Sequence, residues 1–260
     1  MPPKKNLKMK NKFESNSSGL PESSEKKSGY EISGESIERA LTSPDFEKVL
    51  RKTLAQVIKH RREFGFLIGK EMTADKFHYS KPIGDLEESS TALPGAYEEM
   101  EANLESRGLD REDWIELGDF HFHGYESLES RVIYLSSGDI GYTSSARKAN
   151  RGYNNFDIPS IGMIANAVSS TGVEALVYQE PLAYSPSDKP AIFEEIKETL
   201  MELRATNASQ EEVLEALRHY GYQAGMVHFS DGKLSEEDKK FIRSLGMVAK
   251  KTPIDTRDLL

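Results

Sequence analysis

The stretch "GDFHFHGY", Gly118–Tyr125, places His121 and His123 two residues apart in an apolar, aromatic run, in a chain that holds only six histidines. Strand geometry sends residues i and i+2 to one face. Two imidazoles here would therefore point the same way, at metal-ligand separation. Downstream, "YLSSGDIGY" supplies Ser136 and Asp139 as S-x-x-D. Two imidazoles and a carboxylate form an ordinary three-ligand zinc set with a fourth position for water. Zinc lowers the pKa of that water to about 7, and a carboxylate must then carry its proton to the leaving group. Glu63, at the junction between a long helical stretch and "FGFLIG", is the candidate base. Ser136 offers a hydroxyl where a tetrahedral intermediate develops negative charge. Taken singly, each piece is ordinary. H-x-H also suits a solvated strand face, S-x-x-D is a common helix cap, and a Glu near a helix end is usually a surface residue.

The chain that carries these residues has 260 of them and no cysteine. Disulfides and thiolate-metal sites are excluded, so a metal must use His, Asp, Glu or water, which suits a catalytic zinc better than a structural one. The formal net charge of -9 argues against a general nucleic-acid binder. No apolar run approaches the roughly 20 residues needed to span a bilayer. The start, "MPPKKNLKMKNKFESNSSG", is basic but has no apolar core of a signal peptide. These features, with the absence of cysteine, lead us to expect a cytoplasmic protein without membrane or nucleic-acid partners.

The elements that must position the site follow from periodicity. Residues 1–33 are rich in Lys, Ser, Glu and Asn and read as a disordered tail. "SPDFEKVLRKTLAQVIKHRR" reads as a helix, capped by Ser43, with Pro44 in its first turn and an apolar face of Phe46, Val49, Leu50, Leu54, Val57 and Ile58. "EFGFLIGKEM" reads as a central strand, and "KFHYSKPIG" as an edge strand because Pro82 cannot donate to a ladder. A helix over "GAYEEMEANLESRG" precedes the strand "WIELGDFHFHGY". After it come a capped turn and a polar segment, "SSGDIGYTSSARKANRG". Strands follow at "IPSIGMIANA" and "GVEALVYQEPLAY", then two helices, the strand "QAGMVHFS", a "DG" turn, a helix and a final strand. The mix is α+β, a sheet with helices on its faces. "GFLIGKE" is one residue short of a P-loop and has no Ser or Thr after Lys70. His219 and His228 read as structural, with no acid that pairs with them convincingly. Arg147, Lys148 and Arg151 form a basic patch that reads either as a groove lining or as a solvated loop.

"AQVIKHRREFGFLIGKE", then "ELGDFHFHGY", then "YLSSGDIGY" together resemble the JAMM (MPN+) metalloprotease family, in motif order and local context, over about residues 43–184. The resemblance implies a JAMM/MPN-like, cytidine-deaminase-like central mixed sheet flanked by helices over residues 34–185, with residues 186–260 as a C-terminal α/β extension. It implies zinc held by His121, His123 and Asp139, with Glu63 as general base and Ser136 as oxyanion stabiliser. It further implies hydrolysis of isopeptide or peptide bonds at the C-terminus of a ubiquitin-like modifier, so that the partner is a protein substrate. Three departures stand out. Gly124 replaces the family's proline after the second His. Twelve residues, rather than seven, separate that His from Ser136. In E-x-x-G-x-L-x-G, Arg62 occupies the Glu position and Glu63 follows one place late. A bulge or a helix-to-strand junction restores the direction of such an offset residue. Without it, Glu71, Glu126 or Glu129 becomes the candidate base, or the chain is a non-catalytic MPN-type scaffold.

Overall fold

The computed structural model describes residues 29–84, 93–123 and 131–251. Most of residues 1–33, together with Glu126 and Glu129, lie outside them. Helices α1 (Gly34–Thr42) and α2 (Pro44–His60) precede strands β2 (Phe64–Glu71), β3 (Phe77–Tyr79) and β4 (Ile83–Gly84). Then come α3 (Leu93–Glu105), β5 (Trp114–Phe122), α4 (Ser137–Asn154), β6 (Phe156–Asp157), β7 (Ile161–Ala167) and β8 (Gly172–Gln179). Helices α5 (Pro190–Ala205) and α6 (Gln210–His219), strands β9 (Gln223–Ser230) and β10 (Lys233–Leu234), α7 (Glu236–Ser244) and β11 (Met247–Lys251) complete the described chain. Residues 29–32, read above as tail, instead form strand β1 and pair antiparallel with β11. Four residues are too few to show alternation, and their partner lies at the far end of the sequence. None of the helices among the described residues is long and apolar enough to cross a membrane.

The main sheet runs β10-β9-β8-β7-β5-β2-β3, with β4 also paired to β2. Only β5 and β7 are parallel; the other pairs are antiparallel. The sheet is therefore mixed, and β3 lies at its edge, as the proline of its sequence requires. The described part of the segment after residue 185 is built into it, since β9 pairs with β8 along eight residues.

Alternation along each strand separates two buried layers. One face carries Phe66 and Ile68 of β2, Phe120 and Phe122 of β5, Ile161 and Met163 of β7, and Val227 and Phe229 of β9, packed against α1 and α2. Here Phe66 and Phe120 stack at 5.3 Å, and Phe46 of α2 meets both rings edge-on. This aromatic layer locks β2 to β5 from below. Phe46, Leu50, Leu54 and Val57 are buried as the helical period requires, but Ile58 is 42% exposed, because it lies at the edge of the apolar stripe in the last turn. The opposite face is covered by α4, α5 and α6 through Ile140, Ile164, Leu176, Leu200 and Leu217, and by α3 through Leu67, Met100 and Trp114.

The polar segment that follows Ser136 is an 18-residue helix, α4, rather than a turn and loop. Its buried residues include Asp139, Thr143, Arg147, Asn150 and Asn154, which recur at helical spacing. Its inward face is thus largely polar. Asn150 explains how such a face is tolerated. The pairing of β2 with β5 slips between Ile68 and Gly69, whose partners are Gly118 and Glu116, so Leu117 is the extra residue of a bulge. Asn150 bridges the backbone there: Glu116 N–H donates to Asn150 Oδ1 at 3.1 Å, and Asn150 Nδ2 donates to Glu116 O at 2.8 Å. The bulge is satisfied by the helix, and the helix is fixed to the strand.

Candidate metal centre

Two local structures bring the site together. Asp119 and His121 of β5, and His123 just past its end, alternate towards the face covered by α4. On α4, Ser136 is the N-cap and Asp139 the third residue of a reciprocal capping box. The Asp139 N–H donates to Ser136 Oγ at 3.3 Å, and the Ser136 N–H donates to Asp139 Oδ2 at 2.5 Å. The cap orients the carboxylate, leaving Oδ1 to face the histidines. The helix N-terminus also favours negative charge at that position.

The donor atoms converge. His121 Nε2 lies 3.2 Å from His123 Nε2 and 3.0 Å from Asp139 Oδ1, and His123 Nε2 lies 3.4 Å from the same oxygen. Donors about 2.0–2.1 Å from one tetrahedral centre stand about 3.3–3.4 Å from each other. Two of the three separations lie within about 0.2 Å of that edge and the third is slightly shorter, so the residues fit a small tetrahedral cation with N₂O donors. No other such group of three comes together among the described residues. His121 and Asp139 are buried, while His123 keeps 18% of its side chain exposed, which leaves the centre one approach from outside.

The charges of the metal-free site reflect this crowding. Burial disfavours protonated His121, but the Asp119 and Asp139 carboxylates at its two nitrogens outweigh burial and hold its pKa well above the ordinary imidazole value. Burial would raise the Asp139 carboxyl, but His121 and His123 more than offset this and leave its pKa below the usual carboxylate range. The site thus attracts positive charge, as a proton or as a metal ion, and acid competes with metal for it.

Glu63 stands one residue before β2. Phe64 lies opposite Phe122 and Gly65 opposite His121. Phe64 packs on the aromatic face, whereas Leu67 packs under α3 on the other. Strand parity carried one step back from Phe64 would put Glu63 on the face of His121. Before it, α2 ends at Arg61 in a left-handed conformation (φ 53°). Glu63 is half-buried. Glu71, by contrast, is six residues along the strand from Gly65, about 20 Å at 3.4 Å per residue, and is bound by His78 at 2.7 Å and Lys76 at 2.8 Å. It plays no part at this centre.

The sequence reading missed Asp119. Its Oδ2 stands 2.8 Å from His121 Nδ1, and both side chains are 1% exposed. The signal was present as D-x-H-x-H, three polar residues at strand period inside a buried run. Two other readings are corrected. Arg147 and Arg151 neither line a groove nor hang in a loop: both bind Asp157, Arg147 also donates to the Pro181 and Tyr184 carbonyls, and Arg151 binds Asp188. They fasten α4 to β6 and to the segment beyond β8. His228 does have an acid partner, Glu174 at 3.0 Å across β8 and β9.

Comparison with known proteins leaves this centre to be read from its own residues: no protein-family model matches the chain, and no curated protein matches it.

Proposed function

We propose that the chain is a zinc-dependent hydrolase of the JAMM/MPN+ type, cleaving isopeptide or peptide bonds at the C-terminus of a ubiquitin-like modifier. The observation that carries the reading is the convergence of His121 Nε2, His123 Nε2 and Asp139 Oδ1 at tetrahedral-edge distances. Supporting it is the place of Glu63 one residue before Phe64, from which strand parity would put it on the histidine face. His121, His123 and Asp139 would hold the metal. When bound, zinc supplies a Lewis acid and water that ionises near neutral pH. Glu63 takes the proton of the attacking water and returns it to the leaving amine. Ser136 serves twice. Its oxygen accepts the Asp139 N–H as a cap, and its own O–H stays available to donate to the developing oxyanion. The apolar floor of Phe66, Phe120 and Phe122 beneath β2 and β5 keeps these groups in register.

The test combines metal analysis with turnover. Purified protein reconstituted near pH 7 should hold one zinc, lost in His121→Ala, and should cleave a linear ubiquitin-like fusion. Glu63→Gln should retain zinc and lose about 10²–10⁴-fold in kcat, the usual contribution of a general base. Absence of zinc uptake would refute the metal centre. Unchanged turnover in a zinc-loaded Glu63→Gln protein would refute the assignment of the base.

A further inference from the structure

Beneath the three ligands lies a second set of polar groups. Asp119 and Glu116 of β5 and Tyr178 of β8 are closed off from solvent on the side of the sheet that carries the histidines, the hydroxyl of the partly buried Tyr142 of α4 is buried beside them, and Asp119 acts electrostatically on each of the other three. Isolated carboxylates are costly inside a protein, so a buried aspartate between Gly118 and Phe120 needs a reason. Asp119 Oδ1 has no protein partner, whereas Oδ2 is engaged with His121 Nδ1 at 2.8 Å. The hydrogen bond to the histidine ring is thus the specific contact that this carboxylate makes.

A neutral imidazole has one N–H and one lone pair, and the partner of the first nitrogen decides what the second can do. Asp119 carries no donor when ionised, so it accepts from Nδ1–H. The lone pair then lies on Nε2, the nitrogen that faces His123 and Asp139. We infer that Asp119 is a positioning residue: it fixes the tautomer and ring orientation of His121 and so delivers Nε2 to the metal. The inference rests on the metal-centre reading above.

The experiment uses zinc itself and the full chain. Zinc affinity is measured by competition with a chromogenic chelator for wild type, Asp119→Asn and Asp119→Leu, and the ring nitrogens of His121 are observed by ¹⁵N NMR in the zinc-loaded proteins. In wild type, Nδ1 should carry the proton and Nε2 should show the metal-induced shift. Asp119→Asn keeps a carbonyl acceptor without the charge and should weaken zinc binding moderately. Asp119→Leu should weaken it by about 10–100-fold, the usual effect of removing such a partner, with loss of the fixed Nδ1–H signal. If Asp119→Leu does not fold, the Asn variant alone decides, because its shape matches the native residue. Wild type that binds zinc, alongside an Asn variant with equal affinity and identical ring signals, would overturn the inference and leave the metal centre intact. Wild type that binds no zinc would overturn both.

Discussion

Glu116→Gln should remove a fall in stability that the wild-type protein suffers as pH rises towards neutrality. Glu116 is 2% exposed, and burial, with Asp119 adding to it, pushes its pKa from 4.5 up to about 7, although Tyr142 and Arg111 pull the other way. Between these two values the unfolded chain releases a proton that the folded chain keeps. The folded state then binds more protons than the unfolded one, so stability is full below about pH 4.5 and declines until the folded group ionises near pH 7. The shift of about 2.5 units corresponds to roughly 3 kcal/mol at 1.36 kcal/mol per unit. Gln resembles the protonated acid in shape and has no proton to lose. Urea denaturation of metal-free protein, at steps from pH 4.5 to 8 with chelator present, should show the two proteins diverging by about this amount, with the variant the more stable at the alkaline end. Titrating groups far from Glu116 act equally in both proteins and cancel in the difference. Parallel stability profiles would show that Glu116 ionises normally in the fold and would refute the reasoning.

Asn150→Ala removes both backbone contacts at Glu116 and strands a buried N–H and a buried C=O; it should cost about 2–4 kcal/mol, read as a lowered urea midpoint with unchanged slope. Gly118→Ala should be at least as damaging, because a Cβ there would lie 2.1 Å from the carbonyl oxygen of Ile161 on β7. Overpacking typically costs about 1–3 kcal/mol and here acts on backbone that cannot rotate away; thermal unfolding measures it, and a variant as stable as wild type would show that β5 and β7 are not so close.

Much of this architecture was legible because its signals are local. The Ser43 cap and the apolar period of α2, the β-rich runs of β2, β5, β7 and β8, and the Asp231–Gly232 turn between β9 and β10 each follow from a few neighbouring residues. In that turn both residues adopt positive φ, as "DG" in a hairpin requires. The candidate ligands His121, His123 and Asp139 were visible for the same reason: H-x-H is a strand pattern and S-x-x-D a cap pattern. What escaped was non-local or inverted. Helix α4 hides its period because the side facing the sheet is built from Asp, Thr, Arg and Asn, whose burial depends on partners far along the chain. The Arg147 and Arg151 side chains look solvated until Asp157 and Asp188 are brought beside them. The left-handed end of α2 at Arg61, two residues before Glu63, is likewise not visible to a search for a fixed spacing from Gly65.

The bulge at Leu117 shows how one extra residue links the site to its support. In a regular strand Leu117 and Ile115 would share the face of Asp119 and His121, and Glu116 and Trp114 would share that of Phe120 and Phe122. The observed layers are the reverse. Ile115 and Leu117 pack with Phe120 and Phe122 under α1 and α2, while Trp114 packs under α3. The bulge has changed the phase of β5 midway. A regular strand would have driven the Glu116 carboxyl into the aromatic layer and placed two aliphatic side chains behind the histidines. With the extra residue, Glu116 joins Asp119 on the side of α4, and the aliphatic side chains join the core. The disrupted ladder frees the backbone groups that Asn150 captures, which fixes the distance between β5 and α4. That tie holds α4, which carries Asp139, against the strand that leads to the histidines. The irregularity in the strand is therefore part of what assembles the ligand set, and deleting Leu117 should separate folding from metal binding: a chain that still folds should no longer hold zinc at stoichiometric level.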